Sequence, residues 1–197
     1  MSTNDSKVRI LAECAILVAV GTVLAQIQLF RMPNGGSVTA VSMLPFILIS
    51  FRHGNNWGLL AGFANSLLQM LLGGVYAPPA GTATALVGAV LLDYILAFTL
   101  LGLADGFARM FNGKLSLRTV SFGTFAVCLI RFLCSFVSGF LIWGSLTQDG
   151  FGAVTFSLIY NGSYMLPETI ITVAAMAALY KKAPMIFRQQ DARKREA

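Results

Sequence analysis

The stretch SLIYNGSYMLPETI, residues 157–170, lies inside a long apolar run and yet contains an asparagine, a proline and a glutamate. Of the 197 residues in the chain, 56% are hydrophobic and only 11% are charged, a balance far from that of soluble domains. Apolar segments recur that are long enough to cross about 30 Å of hydrocarbon as helices. The chain is therefore expected to lie in a bilayer, where an amide and a carboxylate are costly unless they are paired or used.

The apolar segments predict an all-α membrane protein, a bundle of six transmembrane helices. A transmembrane barrel would instead show short segments of alternating hydrophobicity. The connectors are too short for a second domain, so we expect one membrane domain over residues 1–185 and a basic cytoplasmic tail over residues 186–197. The predicted spans are 9–29, 38–52, 57–73, 83–104, 118–145 and 152–180.

The lysines and arginines predict the orientation of the bundle. Taking the six spans in order, Arg31 is alone on one side, and the other basic residues outside the spans fall on the opposite side. By the positive-inside rule the crowded side is cytoplasmic, so we expect a multi-pass protein of the cell membrane with both termini cytoplasmic. Because these residues are spread over loops and tail, attraction to the lipid bilayer accounts for them, and no nucleic-acid partner is expected.

Sequence patterns for catalysis and metal binding are lacking. Cys14, Cys128 and Cys134 lie within predicted helices without C-x-x-C spacing, which is typical of packing residues. His53 lies in a predicted turn, and the sequence has neither a glycine-rich nucleotide loop nor a Ser/His/Asp set. We therefore expect a chain that is not an enzyme and has no metal site and no cofactor.

Asp93, Arg131 and Glu168 are ionisable residues inside the predicted spans, where such groups are functional hypotheses by default. The fifth and sixth spans run in opposite directions, so Arg131 and Glu168 both lie about 20 Å from the external end at about 1.5 Å per residue. We expect these two residues to form a structural ion pair that neutralises both charges. Asp93 has no basic partner at its level, so it either takes a proton or binds a cation.

Polar and aromatic residues gather in the outer halves of three predicted helices. In the sixth span, Ser157, Asn161, Tyr164 and Glu168 repeat at three- and four-residue spacing and so share one face. Each such residue has an ordinary alternative role: Tyr and Trp in an interfacial belt, Ser in interhelical hydrogen bonds, and Asn161 as a clamp between helices. Together they describe a pocket for a small aromatic cation. Its candidate lining is Asp93, Tyr94, Ser135, Trp143, Asn161 and Tyr164.

Several segments, in this order and spacing, resemble the thiamine-specific substrate-binding (S) subunits of energy-coupling factor (ECF) vitamin transporters. They are AECAILVAV (12–20), FRMPNGGSVTAVSMLP (30–45), FRHGNNWGLLAGFANSLLQMLLG (51–73), LLDYILAF (91–98), RFLCSFVSG (131–139) and SLIYNGSYMLPE (157–168). The resemblance covers nearly the whole chain. It implies six helices, a pocket near the outer face with a lid loop, and an association with a membrane coupling subunit and two ATPase subunits that supply the energy.

The resemblance also implies roles for particular residues. Asp93 and Tyr94 match the binding carboxylate and tyrosine of the family, and Asn161 matches its binding amide. The implied lid loop contains Pro33, Asn34, Gly35 and Gly36. Three further positions of the implied pocket depart from the pattern, with Ser135 for a histidine, Asn65 for an aromatic residue and Phe156 for a tyrosine. A related pyrimidine or thiazole vitamin precursor therefore stays an alternative ligand to thiamine.

Ala12, Ala15 and Ala19 lie at three- and four-residue spacing and form a strip of small residues on the first span. Small residues let a second helix approach closely, either within the bundle or from a partner. The resemblance implies docking to the coupling subunit through such a strip. Two functions thus stand: a thiamine-capturing subunit of an ABC-type ECF transporter, and a self-sufficient carrier or membrane-structural protein in which Asp93 exchanges protons.

Overall fold

The computed structural model describes residues 3–33, 35–144 and 152–187, with side chains from Ser6 onward. The predicted bundle of six helices is confirmed. The helices are α1 Thr3–Gln26, α2 Leu44–His53, α3 Asn55–Gly73, α4 Ala83–Arg109, α5 Leu117–Leu141 and α6 Ala153–Lys182. Helices α4, α5 and α6, and α1 from Ser6 onward, are long and apolar enough to cross a membrane, and α2 is a shorter apolar helix.

A β-hairpin separates α1 from α2, where the sequence predicted helix up to residue 29 and again from residue 38. Strand β1 (Gln28–Arg31) pairs antiparallel with β2 (Ser37–Thr39). The turn between the strands contains Gly35 and Gly36 at φ values of 92° and 84°, a backbone region that favours glycine. The first two predicted spans are therefore wrong at these ends, because apolarity alone does not distinguish a short strand from a helical turn.

Helices α2 and α3 are joined by a tight turn at Gly54. This glycine has a φ of 95°, and its N–H donates to the Ser50 carbonyl at 2.8 Å, which ends α2. Helix α3 begins at the next residue, so the two helices pack against each other.

Glycines bring the backbones of α3 and α4 into close contact. A Cβ atom added to Gly102 would collide with the backbone of Gly58, and one added to Gly62 would collide with the Phe98 carbonyl. In lipid, where apolar surface alone gives no preference for a protein neighbour, such close packing is a main source of helix association. From α2, the Ser50 hydroxyl donates a hydrogen bond of 2.6 Å to the Gly102 carbonyl of α4.

Helix α4 is irregular along its length. It contains a π-helical segment, Val90–Leu96, and a 3₁₀ segment, Leu100–Leu103, and it continues to Arg109, beyond the predicted end at residue 104. Thr82 caps its start, since the Thr82 hydroxyl accepts a hydrogen bond from the Ala85 N–H at 3.3 Å.

Helices α5 and α6 pack closely against each other. A Cβ atom at Gly139 would collide with the Ser157 hydroxyl, so glycine permits this approach. The Ser157 hydroxyl donates to the Phe136 carbonyl at 2.7 Å. Helix α5 begins with a capping box formed by Ser116 and Thr119.

The end of the described chain returns to the bundle. After α6, a 3₁₀ turn (Pro184–Phe187) buries the Phe187 ring, whose centroid lies 5.9 Å from that of Phe51 and 5.0 Å from that of Tyr180. The packed part of the chain thus includes residues 186 and 187 of the expected tail, and the rest of that tail, 188–197, lies outside the described residues.

We predict that Gly102→Ala destabilises the bundle, because its methyl group has no space against the α3 backbone. Overpacking of this kind costs about 1–3 kcal/mol, so the melting temperature of the detergent-purified protein should fall. Gly162→Ala is the matched control, since nothing lies within 4 Å of the place that an added Cβ atom would take, and α6 should tolerate it. Equal melting temperatures for both variants would contradict the close packing of α3 on α4.

Candidate ligand-binding site

A cavity of about 200 Å³ lies between the hairpin and helices α3, α4, α5 and α6. Of the binding residues predicted from the sequence, all but Asn65 line it: Asp93, Tyr94, Ser135, Trp143, Phe156, Asn161 and Tyr164. The structure therefore brings together, around one space, residues that are up to 71 positions apart, from 93 to 164.

Asp93 and Tyr94 are adjacent in sequence, yet both line the cavity. They lie in the π-helical segment of α4, whose i→i+5 hydrogen bonds distort the normal helical arrangement of side chains. Asp93 Oδ2 accepts hydrogen bonds from Ser138 Oγ at 2.6 Å and from Trp143 Nε1 at 3.3 Å. Asp93 Oδ1 accepts no hydrogen bond from a residue that the structure describes. One carboxylate oxygen is therefore oriented by Ser138 and Trp143, and the other is available to a ligand.

The Tyr94 hydroxyl holds the connection between α3 and α4. It accepts a hydrogen bond from the Tyr76 N–H at 3.2 Å and lies 3.4 Å from the Gly74 carbonyl, to which it donates. Gly74 and Tyr76 themselves line the cavity. Tyr94 therefore shapes one wall of the cavity through the loop that it holds.

Asn161 acts as a clamp between α5 and α6. This is the packing role that was predicted as the alternative to a contact with a ligand. Its amide nitrogen donates to the Ser135 carbonyl at 3.2 Å and to the Ser157 carbonyl at 3.0 Å, and its oxygen accepts from the Tyr164 hydroxyl at 2.9 Å. The amide borders the cavity, but these bonds already use both of its donor hydrogens.

The expected ion pair between Arg131 and Glu168 is wrong. Both carboxylate oxygens of Glu168 accept hydrogen bonds from Thr39 on the hairpin, each at 2.6 Å. Arg131 instead lines the cavity, with its guanidinium carbon 4.4 Å from the centroid of the Phe98 ring. Similar depth on neighbouring helices did not make the two side chains face each other, because depth leaves the rotation of each helix undetermined.

Asn65 does not line the cavity, which corrects its assignment as a binding residue. Its side chain is fully buried within the bundle, and its Oδ1 accepts a hydrogen bond of 3.5 Å from Gln69 Nε2. Gln69, one helical turn later on α3, lines the cavity instead.

The expected lid loop borders the cavity through Gly35 and Gly36, whereas Pro33 is exposed and Asn34 lies outside the described residues. The Gly35 carbonyl accepts a hydrogen bond from the Tyr160 hydroxyl at 2.9 Å. At Gly36 a Cβ atom would lie 2.7 Å from the Tyr164 ring, so only glycine lets the loop approach α6 this closely.

Several cavity residues were not predicted from the sequence: Gln28, Arg31, Ser37, Gln69, Tyr76, Phe98, Arg131 and Tyr160. Tyr160 had a detectable signal, since it lies four residues before Tyr164 and so shares its helical face. Its ring stacks on that of Phe156, with centroids 5.6 Å apart, and meets the Tyr164 ring edge-on at 6.3 Å. Arg31 and Tyr76 lie in connections between helices, where no periodicity indicates which side chains face the cavity.

The cavity can hold a small, flat ligand that carries a positive charge. The free Asp93 oxygen supplies an acceptor, and aromatic rings of α4 and α6 supply flat apolar surfaces and negative ring faces. Arg131 supplies donors, because its guanidinium makes no hydrogen bond with another described residue. A ligand with both a cationic ring and an acceptor group would match this set.

The strip on α1 faces away from the bundle. Ala12, Ala15 and Ala19 are exposed, and so are Leu11 and Ile16 on the same part of the helix. Glu13 on the other side of α1 pairs with Arg52 of α2 at 2.8 Å, which orients the helix. Internal packing of the strip against the described bundle is thereby excluded.

Comparisons with known proteins point to one family. Residues 11–188 match the family described as Thiamine transporter protein (Thia_YuaJ). The chain is similar to the thiamine transporter ThiT of Bacillus subtilis, with 33% identity over 96% of this chain and 100% of the relative. It is similar to ThiT of Lacticaseibacillus paracasei, with 26% identity over 92% of each chain.

A solved structure gives the same result. The fold is similar to that of ThiT from Listeria monocytogenes, with a TM-score of 0.73 and 26% identity over 92% of this chain and 98% of the other. Together with the apolar helices, these relatives identify a multi-pass protein of the cell membrane. Because the family match and the relatives span almost all of its length, the chain belongs to the thiamine transporter protein family.

Proposed function

We propose that this chain is the substrate-binding subunit of an ECF transporter, and that it captures thiamine from outside the cell for ATP-driven uptake. The observation that carries this proposal is Asp93, a carboxylate in an apolar bundle with one oxygen held by Ser138 and Trp143 and the other unused by the described residues. An unused carboxylate oxygen in such surroundings is costly unless a cation meets it. Thiamine has a permanently cationic thiazolium ring, and the relatives named thiamine transporters support this choice.

The chain's own residues bind and orient the ligand and perform no chemistry. Asp93 neutralises the ligand's charge, and the rings of Phe98, Phe156 and Tyr160 provide stacking surfaces. Arg131 is directed to an acceptor atom of the ligand, and the hairpin covers the site. The energy for transport comes from partner subunits that hydrolyse ATP.

The partners are a transmembrane coupling subunit and two ATPase subunits. The exposed strip of Ala12, Ala15 and Ala19 supports docking of the coupling subunit on α1, since small side chains let a partner helix approach closely. With both termini in the cytoplasm, Lys7 and Arg9 bring the start of α1 to the cytoplasmic side, where an ATPase complex works.

Ser135 is the observation that favours a second ligand class, a pyrimidine or thiazole precursor of the vitamin. It replaces an expected histidine and lines the cavity, so part of the imidazole and aromatic lining is missing. A self-sufficient proton-coupled carrier is a further alternative. It differs from the proposed ECF subunit because its uptake would continue without ATPase partners.

We predict that Asp93→Asn weakens thiamine binding by about 1.5–3 kcal/mol, the range for a hydrogen bond to a charged group, or roughly 10- to 100-fold. The bundle should stay folded, because asparagine keeps an acceptor for Ser138. Equilibrium titration of the purified protein with thiamine measures the effect. Asp105→Asn is the control, since Asp105 pairs with Arg109 at 2.7 Å and does not line the cavity. Equal affinities for wild type and Asp93→Asn would remove Asp93 from the site.

We predict that replacing Ala15 and Ala19 together with Trp abolishes thiamine uptake and co-purification with the coupling subunit. Binding to the isolated chain should stay nearly intact, because the strip faces away from the cavity. Leu129 and Leu133 offer a matched control, since they are exposed at the same four-residue spacing on α5. Their replacement with Trp should leave uptake unchanged, and a loss of uptake there equal to that at the strip would contradict docking through α1.

A further inference from the structure

Helix α6 contacts the hairpin at successive turns. Near the tip, the Tyr160 hydroxyl donates to the Gly35 carbonyl at 2.9 Å, and the Tyr164 ring lies against Gly36. Two turns after Tyr160, at the base of the hairpin, Glu168 meets Thr39. Residues 160, 164 and 168 share one helical face, so a single face of α6 follows the hairpin from tip to base.

The contact at the base is buried and complete. Thr39 donates both its N–H and its hydroxyl to the Glu168 carboxylate, each at 2.6 Å. Ser42 Oγ lies 2.7 Å from Thr39 Oγ1, and the Ser42 N–H donates to the same oxygen at 3.2 Å. Glu168 is only 2% exposed, and Thr39 and Ser42 are both buried. Charge-assisted hydrogen bonds shielded from water are the strong ones, so this group holds the end of β2 firmly.

The chain turns sharply next to this group. Val41 has a φ of 66°, a left-handed conformation that is an outlier for a β-branched residue. Its N–H donates to the Thr39 carbonyl at 2.9 Å, and its carbonyl accepts from the Leu44 N–H at 3.1 Å. A conformation of this kind persists only where its surroundings hold it in place. The first of these bonds connects Val41 directly to Thr39, and the second connects it to Leu44 at the start of α2.

A further contact of the hairpin, besides those with α6, is exposed. Arg31 donates to the Tyr76 hydroxyl at 2.6 Å across the mouth of the cavity, and Arg31 itself is exposed to solvent. Water competes for such a contact, so it breaks and re-forms easily compared with the buried group at Thr39. The hairpin is thus held at its base by a buried, charge-assisted group, and nearer its tip by the Tyr160 bond to Gly35 and the exposed Arg31 bond, which are more accessible to water.

We propose that Glu168 is a positioning residue that fixes the base of the hairpin through Thr39, so that the hairpin pivots there and closes over the ligand. This inference rests on the proposed function, because it requires a ligand in the cavity. Glu168 does not line the cavity and acts on the ligand only through the hairpin. Loss of the contact therefore lets the closed lid open more often, which speeds ligand release.

Glu168→Gln tests the proposal, because a glutamine amide can accept from only one of the two Thr39 donors without presenting its own N–H to the other. Thiamine dissociation should become about tenfold faster, the effect of losing one charged hydrogen bond, while association stays within about twofold. Trp143 lines the cavity, so its fluorescence in a Trp57→Phe background reports binding by stopped flow. Thr39→Val should act in the same direction, and Thr39→Ser, which keeps the hydroxyl, should match wild type.

Thr172→Val is the control on the same helix. Thr172 is fully buried one turn beyond Glu168 and its hydroxyl has no hydrogen-bond partner among the described residues, so its loss should leave thiamine release unchanged. Wild-type dissociation rates in both Glu168→Gln and Thr39→Val would overturn the proposal. So would a release equally fast in Thr172→Val, since the effect would then come from the helix as a whole.

A second readout needs no ligand. Arg31 is an exposed tryptic site within the hairpin, so the rate of cleavage after Arg31 in the folded protein reports detachment of the lid. Glu168→Gln and Thr39→Val should accelerate this cleavage about tenfold without thiamine present, and Thr172→Val should not. If thiamine fails to bind wild type, the proposed function fails, whereas unchanged cleavage in Glu168→Gln contradicts the lid anchor alone.

Discussion

The absence of water from the hydrocarbon core is the constraint on which the rest of the structure depends, because every polar group there must find its partner within the protein. The bundle meets this demand almost everywhere. Glu168 is satisfied by Thr39, and Asn161 by Ser135, Ser157 and Tyr164. The exceptions around the cavity are one oxygen of Asp93 and the guanidinium of Arg131, which no described residue bonds. These two groups face the cavity, where a ligand can use them, whereas the Thr172 hydroxyl, unpartnered among the described residues, is buried away from it.

One face of helix α6 has three roles. The same face that clamps α5 through Asn161 also lines the cavity with Tyr160 and Tyr164 and holds the hairpin through Glu168. Helix α6 packs against β2 of the hairpin, whereas the residues of β1 are exposed. Any movement of the hairpin is therefore coupled to a helix that lines the cavity. The exposed alanine strip on α1 does not line the cavity.

The helices were predictable because apolar length is a strong signal, and Asp93 was predictable because an unpaired charge in a span requires an explanation. The hairpin was not, since its strands are only four and three residues long and lie in apolar sequence. The partner of Glu168 was not predictable either, because Thr39 lies 129 residues away and contributes no charge. Arg131 was assigned to an ion pair from its depth alone, and Asn65 to the cavity from its position in a motif. In both cases the missing information was the rotation of a helix, which only packing determines.

Comparing the affinities of thiamine and its two halves tests whether the cavity binds the whole cationic vitamin between Asp93 and the aromatic rings. The purified chain is titrated with thiamine, with the free pyrimidine half and with the free thiazolium half under the same conditions. We expect saturable binding of one thiamine per chain, at least about tenfold tighter than either half, because the linked rings share one ordering cost. Either half binding as tightly as thiamine, or no binding of thiamine at all, would contradict it.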